Sequence, residues 1–511
     1  MQLAISLAMK HKKHEQVVIA WLGSWLAEER SSGDSQSPAV VVDIRSLAGA
    51  LEQELTIHRR LLGGSTPCTP TIGMVRELTR NVDPQEYDPQ HVSIGPYHRK
   101  RSPNVWRYND KLASLDAILS AATPPAKTVE AYLGELAADE ARARSYYANT
   151  FDDMTSGDFL RMLLLDACYV LHWFGNVVGV SQNRAPAPNG HVQGGYQHQH
   201  QHQHQHQAGS DNKQEVLAVL RDVFYLVENQ IPYFILDKVH KLTFSGGTSS
   251  VVPLSDTIAE NLSKYILQKQ QYTMARITPR AEPGNLLHLV HMHFLKPTST
   301  VSSVTSSPTG QQPVGRWRTA MDYYISGVNL KSRPVGAGST EARCILDVTL
   351  DSGSGTLVVP RLRIDAETGR ILRNLVALEQ HNPGVGSHVT AYCVFMSQMA
   401  CTASDVDLLS RTGVIVHLLA NDGEVAAFFS DLCKGVLFDP DDADHNYLRA
   451  MCQVLDNLYR SRPRRCMALL YHKYSANPWL VVGVMAASIG LISTLVQTLY
   501  TALSYYYQGP Q

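Results

Sequence analysis

Trp479 to Leu503 read WLVVGVMAASIGLISTLVQTLYTAL, and the chain holds no Asp, Glu, Lys or Arg from Tyr474 to Gln511. This run exceeds the roughly 20 apolar residues that carry a helix across a bilayer. Trp479 at one end and Tyr500 near the other supply rings that favour the two membrane interfaces. A buried core helix is the alternative, but core helices seldom run this long without a charge. The stretch therefore predicts a transmembrane helix over 479–503, with a short tail over 504–511.

The residues that flank this span predict its orientation. Five basic residues precede it and none follows it: Arg460, Arg462, Arg464, Arg465 and Lys473. Positive charge favours the cytosolic side of a membrane. At the other end of the sequence, MQLAISLAMKHKKHEQ places its charges after a short apolar run, the reverse of a secretory signal peptide. We expect a single-pass protein with a cytosolic body and a C-terminal tail anchor, at the plasma membrane or an endomembrane.

Small residues within the span repeat at a spacing that allows two helices to pack. Gly483 with Ala487, and Ala486 with Gly490, are each four positions apart. Such spacing can pair a helix with a second copy, although it is also common in helices that remain alone. A homo-oligomer is therefore one expectation, and a channel is disfavoured because the single span carries no polar stripe.

The composition of the 511-residue chain limits its class of partner, the size of its core and the chemistry of its cysteines. Lys and Arg number 45 against 46 Asp and Glu, a net charge of -1, which gives no overall attraction for a phosphate backbone and disfavours nucleic acid as a partner. Hydrophobic residues make up 44%, enough for a sizeable core. The eight cysteines contain no CxxC pair, so we expect reduced thiols and no zinc-finger site.

Patterning predicts a mainly α-helical body with a small β element. Phe159–Phe174 and Val216–Leu242 have helical periodicity, the second with a kink at Pro232, and helices return from Arg370 to Lys434. Arg343–Leu350 and Thr356–Ile364 predict a β-hairpin over 343–364, with Pro360 placing its strand at a sheet edge. Repeated prolines up to Tyr97 predict a turn-rich surface loop.

We expect the following organisation: an N-terminal helical extension and linker over 1–41, a body over 42–474, a low-complexity insertion over 175–210 and a flexible linker over 296–315. The insertion contains an alternating Gln-His tract, Gln197–Gln207, which cannot build a core. We interpret this tract as a neutral repeat without a ligand, and loose binding of Zn, Cu or Ni by its histidines is the alternative.

No known catalytic motif occurs in the chain. GxxxxGK[ST], GxGxxG, HExxH and GxSxG are all missing, so the sequence predicts no catalytic residue, cofactor or metal. His288, His291 and His293 form the best metal-like cluster, but no nearby carboxylate completes it. We interpret these histidines as helix surface or core residues.

A second group of residues surrounds the predicted hairpin: Arg361, Arg363, Asp365, Arg373, Asn374 and Glu379. Asp365 and Glu379 could supply the two carboxylates of an acid-base mechanism. An ion-pair network that locks the hairpin to the next helix explains the same residues, and we favour that interpretation. Asn261 begins a glycosylation sequon, usable only if the body faces a lumen.

Several sequence blocks together resemble the plant family called domain of unknown function 247. They are VSIGPYH (92–98), LLLDACYVL (163–171), VENQIPYFIL (227–236), IDAETGRILRNLVALEQ (364–380), DVDLLSRTGVIVHLL (405–419), LCKGV (432–436) and NPW (477–479). The chain departs from the family pattern at His98-Arg99-Lys100, where His-His-Gly is usual, and at Asp166-Ala167-Cys168, where Asp-Gly-Cys is usual.

The resemblance implies a plant-specific protein with a C-terminal membrane helix and no assigned activity. Grass members of this family are linked to self-incompatibility, so recognition or signalling through an unidentified protein partner is the expected role. The competing hypothesis is a hydrolase that uses Asp365 and Glu379, or the His288 cluster.

Overall fold

The computed structural model describes residues 71–99, 105–122, 128–175, 214–244, 252–274, 282–297, 300–302, 317–461 and 478–507. The N-terminal extension, the Gln-His tract, most of the linker over 296–315 and the basic residues 462–473 lie outside these ranges. The described residues belong to a unit that spans Thr69–Gln511, and they confirm a mainly α-helical fold with few strands.

The first half of the body is helical. Its helices are α1 (Glu77–Arg80), α2 (Tyr108–Ala121), α3 (Val129–Ala137), α4 (Glu140–Ser145), α5 (Ser156–Phe174), α6 (214–225) and α7 (Tyr233–Phe244). The Thr155 hydroxyl caps α5 by accepting the Asp158 N–H. Helix α5 is apolar almost all round, and α2, α3 and α7 pack against it. This arrangement confirms the predicted helix over Phe159–Phe174.

The predicted helix over Val216–Leu242 is broken rather than kinked. Helix α6 ends at residue 225 and α7 begins at Tyr233, so residues 226–232 are not helical. Pro232 lacks an N–H and starts the second helix well, while Glu228, Asn229 and Gln230 bury their side chains among distant backbone groups. These side-chain bonds stabilise an open segment that periodicity alone does not reveal.

The turn-rich segment before α2 is confirmed as irregular but is not a surface loop. It contains only α1 and a 3₁₀ turn, Pro84–Glu86, within residues 71–99. Ile72, Tyr87, Val92 and Ile94 are fully buried in the main core. The prolines exclude long helices without excluding burial, because side chains and backbone elsewhere satisfy the polar groups of the segment.

Three short helices and the first two strands connect the halves of the body. They are α8 (Leu254–Leu262), continued by a π-helical turn (Ser263–Leu267), α9 (Leu286–His291), β1 (Val301–Ser302), α10 (Ala320–Ile325) and β2 (Asn329–Arg333). Asn261 lies in α8, half-buried, and its amide donates to the carbonyls of Phe174 (3.1 Å) and Thr257 (3.3 Å). A glycan cannot be attached to this nitrogen without breaking these bonds.

The predicted hairpin forms from β3 (Thr349–Asp351) and β4 (Thr356–Pro360), which are antiparallel. Residues 343–348 are not a strand, and Leu362–Ile364 forms β5, which pairs instead with β6 (Ile415–His417). The larger sheet has the order β1-β3-β4-β2, so the edge position predicted for the strand of Pro360 is wrong. Pro360 is tolerated because it is the last residue of β4, beyond the final pair with β3.

The second half of the body is built on α11 (Ala366–His381), which α9 contacts. The helices that follow are α12 (His388–Met399), α13 (Ala403–Arg411), α14 (Asp422–Leu432) and α15 (Arg449–Arg460). Asp365 and Thr368 form a capping box at the start of α11, which is buried along most of its length. Helices α12 and α14 pack on α11, so α11 is the central element of this half.

The cysteines within the described ranges are all free, as predicted. Burial raises the pKa of Cys344 and Cys452 to about 12, so both thiols remain protonated and unreactive at neutral pH. The last described element is α16 (Pro478–Tyr507), whose described side chains are all exposed. Its segment Val482–Ser504 is long and apolar enough to cross a membrane.

Candidate functional site

Three helices bring His291, Glu379 and His388 together. His291 ends α9, Glu379 lies near the end of α11, and His388 begins α12. His291 Nε2 is 2.7 Å from Glu379 Oε1, and His388 Nδ1 is 3.8 Å from the same oxygen. The two imidazole centroids are 4.5 Å apart. We call these three residues the His-Glu-His cluster.

Glu379 is held by hydrogen bonds to both carboxylate oxygens. Oε1 accepts the Val389 N–H (3.0 Å) besides its contact with His291. Oε2 accepts the Thr390 N–H (2.7 Å) and the Thr390 hydroxyl (2.6 Å). Val389 and Thr390 lie in the first turn of α12, whose free N–H groups need acceptors. Glu379 therefore caps α12 from a neighbouring helix.

The electrostatics of the cluster favour an ionised Glu379 carboxylate beside an uncharged His388 imidazole. Burial raises the pKa of Glu379, but its hydrogen bond with His291 and its electrostatic interactions with His291 and His388 outweigh this effect and hold the pKa below its usual value. Burial, with the nearby His291, lowers the pKa of His388 to about 4, and the same causes lower the pKa of His288 to about 4. At neutral pH, His288 and His388 are uncharged.

The expectation that no carboxylate lies near the His288 group is wrong. Glu379 reaches His291 from 88 positions further along the chain, too far for sequence spacing to show. His288 lies beside the cluster, with its ring centroid 6.2 Å from that of His291, and its Nδ1 accepts the Gly284 N–H. His291 and His293 are buried, as core histidines.

Asp365 and Glu379 do not form a catalytic pair. They lie at opposite ends of α11, about 20 Å apart at the helical rise. The Asp365 carboxylate accepts the N–H groups of Glu367 (3.0 Å) and Thr368 (3.1 Å) as the helix cap. The acid-base arrangement considered from the sequence therefore has no geometric support.

The predicted ion-pair network is also wrong. No ion pair within the described ranges joins two of the six residues proposed for it. Arg361 and Arg373 donate to the backbone carbonyls of Gly413 and Asp431. The Asn374 amide accepts the Val227 N–H and donates to the Glu86 carbonyl. These residues stabilise separate contacts, because each points to a different neighbouring segment.

The Glu-Asn-Gln run at 228–230 has a structural role. Glu228 accepts hydrogen bonds from Arg80 (2.7 Å) and the Val75 N–H (2.8 Å). Asn229 accepts the Ile94 N–H (2.6 Å) and donates to the Val92 carbonyl (3.0 Å). The side chains of this run thus attach the irregular segment 71–99 to the break between α6 and α7.

The model of a plant protein family of unknown function, DUF247, matches residues 72–493. The chain belongs to the DUF247 family.

Two relatives of this DUF247 chain come from Arabidopsis thaliana. UPF0481 protein At3g47200 is 23% identical over 446 residues, which cover 83% of this chain and 84% of the relative. Putative UPF0481 protein At3g02645 is 28% identical over 176 residues, 34% of this chain and 31% of the relative. No solved structure matches the chain.

The DUF247 block around Gly95 illustrates how the family motifs serve the fold. Gly95 has φ of +73°, and a Cβ there would lie 2.3 Å from the Gln230 carbonyl oxygen. Only glycine fits both the left-handed backbone and this approach. His98, which directly precedes the departure from the family pattern at Arg99 and Lys100, is buried with Nε2 3.3 Å from Glu228 Oε2. This block is packed against the Glu-Asn-Gln run.

His388 is the site residue that the sequence analysis missed. It lies in the loop-to-helix sequence GVGSHV, which matches no ligand motif. The donor atoms of His291, Glu379 and His388 all lie within 4.8 Å of one another, so these residues can hold a metal ion. The sequence offered only three residues of metal-binding types, two histidines and one glutamate, in separate apolar segments, and this does not reveal their proximity.

Proposed function

We propose that this DUF247 protein is a single-pass membrane protein whose helical body binds another protein in recognition or signalling, without catalysing a reaction. The observation that carries the proposal is α16. Leu491 is 67% exposed, Val496 60% and Trp479 82%, in a helix whose described side chains are all uncovered. An uncovered apolar surface of this length is unfavourable in water and favourable in a bilayer.

The complete exposure of α16 weighs against the alternative of a core helix. Core helices of soluble proteins bury such a stretch, whereas no residue is buried in the most apolar part of Val482–Ser504. The basic residues from Arg460 to Lys473 precede the helix, and none follows in the sequence. We therefore propose that the body lies on the cytosolic side.

The binding role rests on how the body uses its buried and half-buried carboxylates. Glu379, Asp365 and Glu228 accept hydrogen bonds that cap helices or fix loops. A general acid or base must instead reach a substrate proton. The hydrolase alternative with Asp365 and Glu379 therefore has less support than a non-catalytic, protein-binding role.

Anchoring and orientation are tested with the full chain carrying one epitope tag before Met1 and another after Gln511. We expect the protein to remain in membranes after alkaline carbonate extraction. In sealed microsomes, protease should remove the N-terminal tag and spare the C-terminal tag. Recovery in the soluble fraction would contradict the anchor, and protection of the N-terminal tag would contradict the cytosolic body.

The binding role requires a separate test on the protein in plant membranes. We expect solubilised full-length protein to migrate as a complex with one further polypeptide at fixed stoichiometry. Two differently tagged copies co-expressed in the same cells distinguish a homo-oligomer, which would co-purify both tags. Turnover of a model ester or phosphoester by the purified protein, lost on Glu379→Gln but retained in an equally folded control, would overturn the non-enzymatic assignment.

A further inference from the structure

The His-Glu-His cluster contains more than a hydrogen-bonded cap requires. One imidazole, His291, is enough to bond Glu379 Oε1. The second, His388, faces the same oxygen at 3.8 Å, which is beyond a direct hydrogen bond. Two imidazoles that converge on one carboxylate oxygen form a donor set suited to a cation held among all three groups.

We propose that His291, Glu379 and His388 bind one divalent cation of the zinc class between α9, α11 and α12. This inference is independent of the proposed anchoring and protein-binding roles. Two imidazoles and a carboxylate are ligands that zinc accepts, and a fourth tetrahedral position is left for water. The absence of sulfur and the presence of only one carboxylate disfavour soft monovalent ions and Mg²⁺ or Ca²⁺.

The spacing of the donor atoms fits this assignment with small movements. Zinc bonds to nitrogen and oxygen of about 2.0–2.2 Å place two tetrahedral donors roughly 3.3 Å apart. The present separations from Glu379 Oε1 are 2.7 Å to His291 and 3.8 Å to His388. A shift of about half an ångström in each ring brings both to the expected spacing. The proton between His291 and Glu379 leaves as the metal binds.

The surroundings already orient the carboxylate. The N–H and the hydroxyl of Thr390 both donate to Oε2, and the Val389 N–H at the start of α12 donates to Oε1. Metal-binding carboxylates and histidines are commonly fixed by such outer hydrogen bonds. The His291 side chain is 3% exposed and that of Glu379 is fully buried, whereas that of His388 is 16% exposed. A metal ion would therefore enter past His388.

The chain supplies a matched control for His388. His417 Nε2 lies 3.0 Å from Asp422 Oδ1, and its side chain is also 16% exposed. No third donor within the described ranges joins this pair in a metal-binding group. Because the histidines of the Gln-His tract can bind metal themselves, all proteins should carry glutamine in their place. These positions are His198, His200, His202, His204 and His206.

The experiment uses the full chain in detergent, stripped with EDTA and then equilibrated with zinc. We expect one zinc per chain by elemental analysis, a zinc-dependent rise in melting temperature, and no comparable rise with Mg²⁺. Cobalt in place of zinc should give visible absorption bands typical of a tetrahedral site. His388→Gln should weaken zinc binding by more than about tenfold, whereas His417→Gln should leave it unchanged.

Three results would overturn the inference. They are an absence of bound zinc in the parent protein, equal zinc binding by His388→Gln, and equal losses in His388→Gln and His417→Gln. His388→Gln is preferred to a change at Glu379 because Glu379 also caps α12, and its loss would disturb the fold. The melting temperature of each metal-free variant shows whether it is folded before zinc is added.

Discussion

Lys111 Nζ lies 2.6 Å from Asp166 Oδ1, and both side chains are fully buried. The ammonium group also donates to the Ser93 carbonyl (2.7 Å) and lies 3.7 Å from the centre of the Trp106 ring. The second carboxylate oxygen of Asp166 accepts the Gly95 N–H (2.8 Å). The pair thus joins α2, α5 and the segment around Gly95 through charges that no water reaches.

We expect Asp166→Asn to destabilise the protein by about 3–5 kcal/mol, because it leaves the Lys111 charge buried without a counter-ion. Adding Lys111→Met should recover part of this loss. Melting temperatures of the single and double variants provide the measurement. The control is the exposed Lys241, which pairs with the half-buried Asp237, and Lys241→Met should change stability by less than about 1 kcal/mol. A double variant whose loss of stability equals the sum of the losses of the two single variants would contradict the coupling between Lys111 and Asp166.

Glu228 should make stability depend on acid pH. Burial raises its pKa, but the His98 hydrogen bond, the Arg80 charge and the Val75 N–H outweigh it and hold the pKa below 4.5. A lowered carboxyl pKa contributes stability above pH 4.5 that is lost as the pH falls through the folded value. Glu228→Gln should lower the melting temperature at pH 7 and flatten its decline below pH 4.5. Parallel pH profiles for variant and parent would refute this role.

Gln230 should contribute to stability through its amide rather than its size. Its nitrogen donates to the carbonyls of Val223 (2.7 Å) and Leu226 (2.9 Å), and its oxygen accepts the Leu286 N–H (3.0 Å). Gln230→Leu keeps similar volume but leaves these buried groups unpaired, at about 1–3 kcal/mol for each group that stays unpaired. Gln268→Leu, at an exposed position, is the control. Equal melting temperatures for the two variants would count against the prediction.

Ile492→Arg should reduce membrane integration of α16. Ile492 lies near the middle of the apolar segment, where exchanging isoleucine for arginine disfavours insertion by about 3 kcal/mol. Tyr506→Arg, beyond that segment, should have little effect because an arginine there reaches the interface. Carbonate extraction of microsomes after cell-free synthesis measures both variants. Equal retention of the two would indicate that the helix is held by something other than a bilayer.

Local patterns in the sequence predicted the helices well. The continuous apolar run of α5 and the periodicity of α11 correspond to elements observed over those residues. The spacing of Asp365 and Thr368 is itself a helix-start signal, yet the charge of Asp365 suggested an ion pair. A carboxylate that caps a helix and one that forms an ion pair cannot be told apart in a sequence, because only their partners in the fold differ.

Features that depend on distant partners could not be predicted. The break at residues 226–232 exists because buried side chains bond to segments far along the chain, against a helical periodicity that continues through it. Pro360 indicated an edge strand, but β2 comes from an earlier segment and pairs beside β4. His388 and Glu379 meet His291 only when α9, α11 and α12 pack together. Each error came from a contact that local sequence does not encode.

The attachment of the irregular segment has a consequence for synthesis on the ribosome. The Val75 N–H bonds Glu228 across 153 positions, and the Val227 N–H bonds Asn374 across 147. The Val227 N–H in the break between α6 and α7 therefore lacks its acceptor, Asn374, until most of the nascent chain has emerged. Until then, the break and the segment attached to it lack part of their final partners, although α2, α3 and α7 are able to pack on α5. Completion of the first half at this break should thus follow the translation of α11, after its own helices have begun to pack.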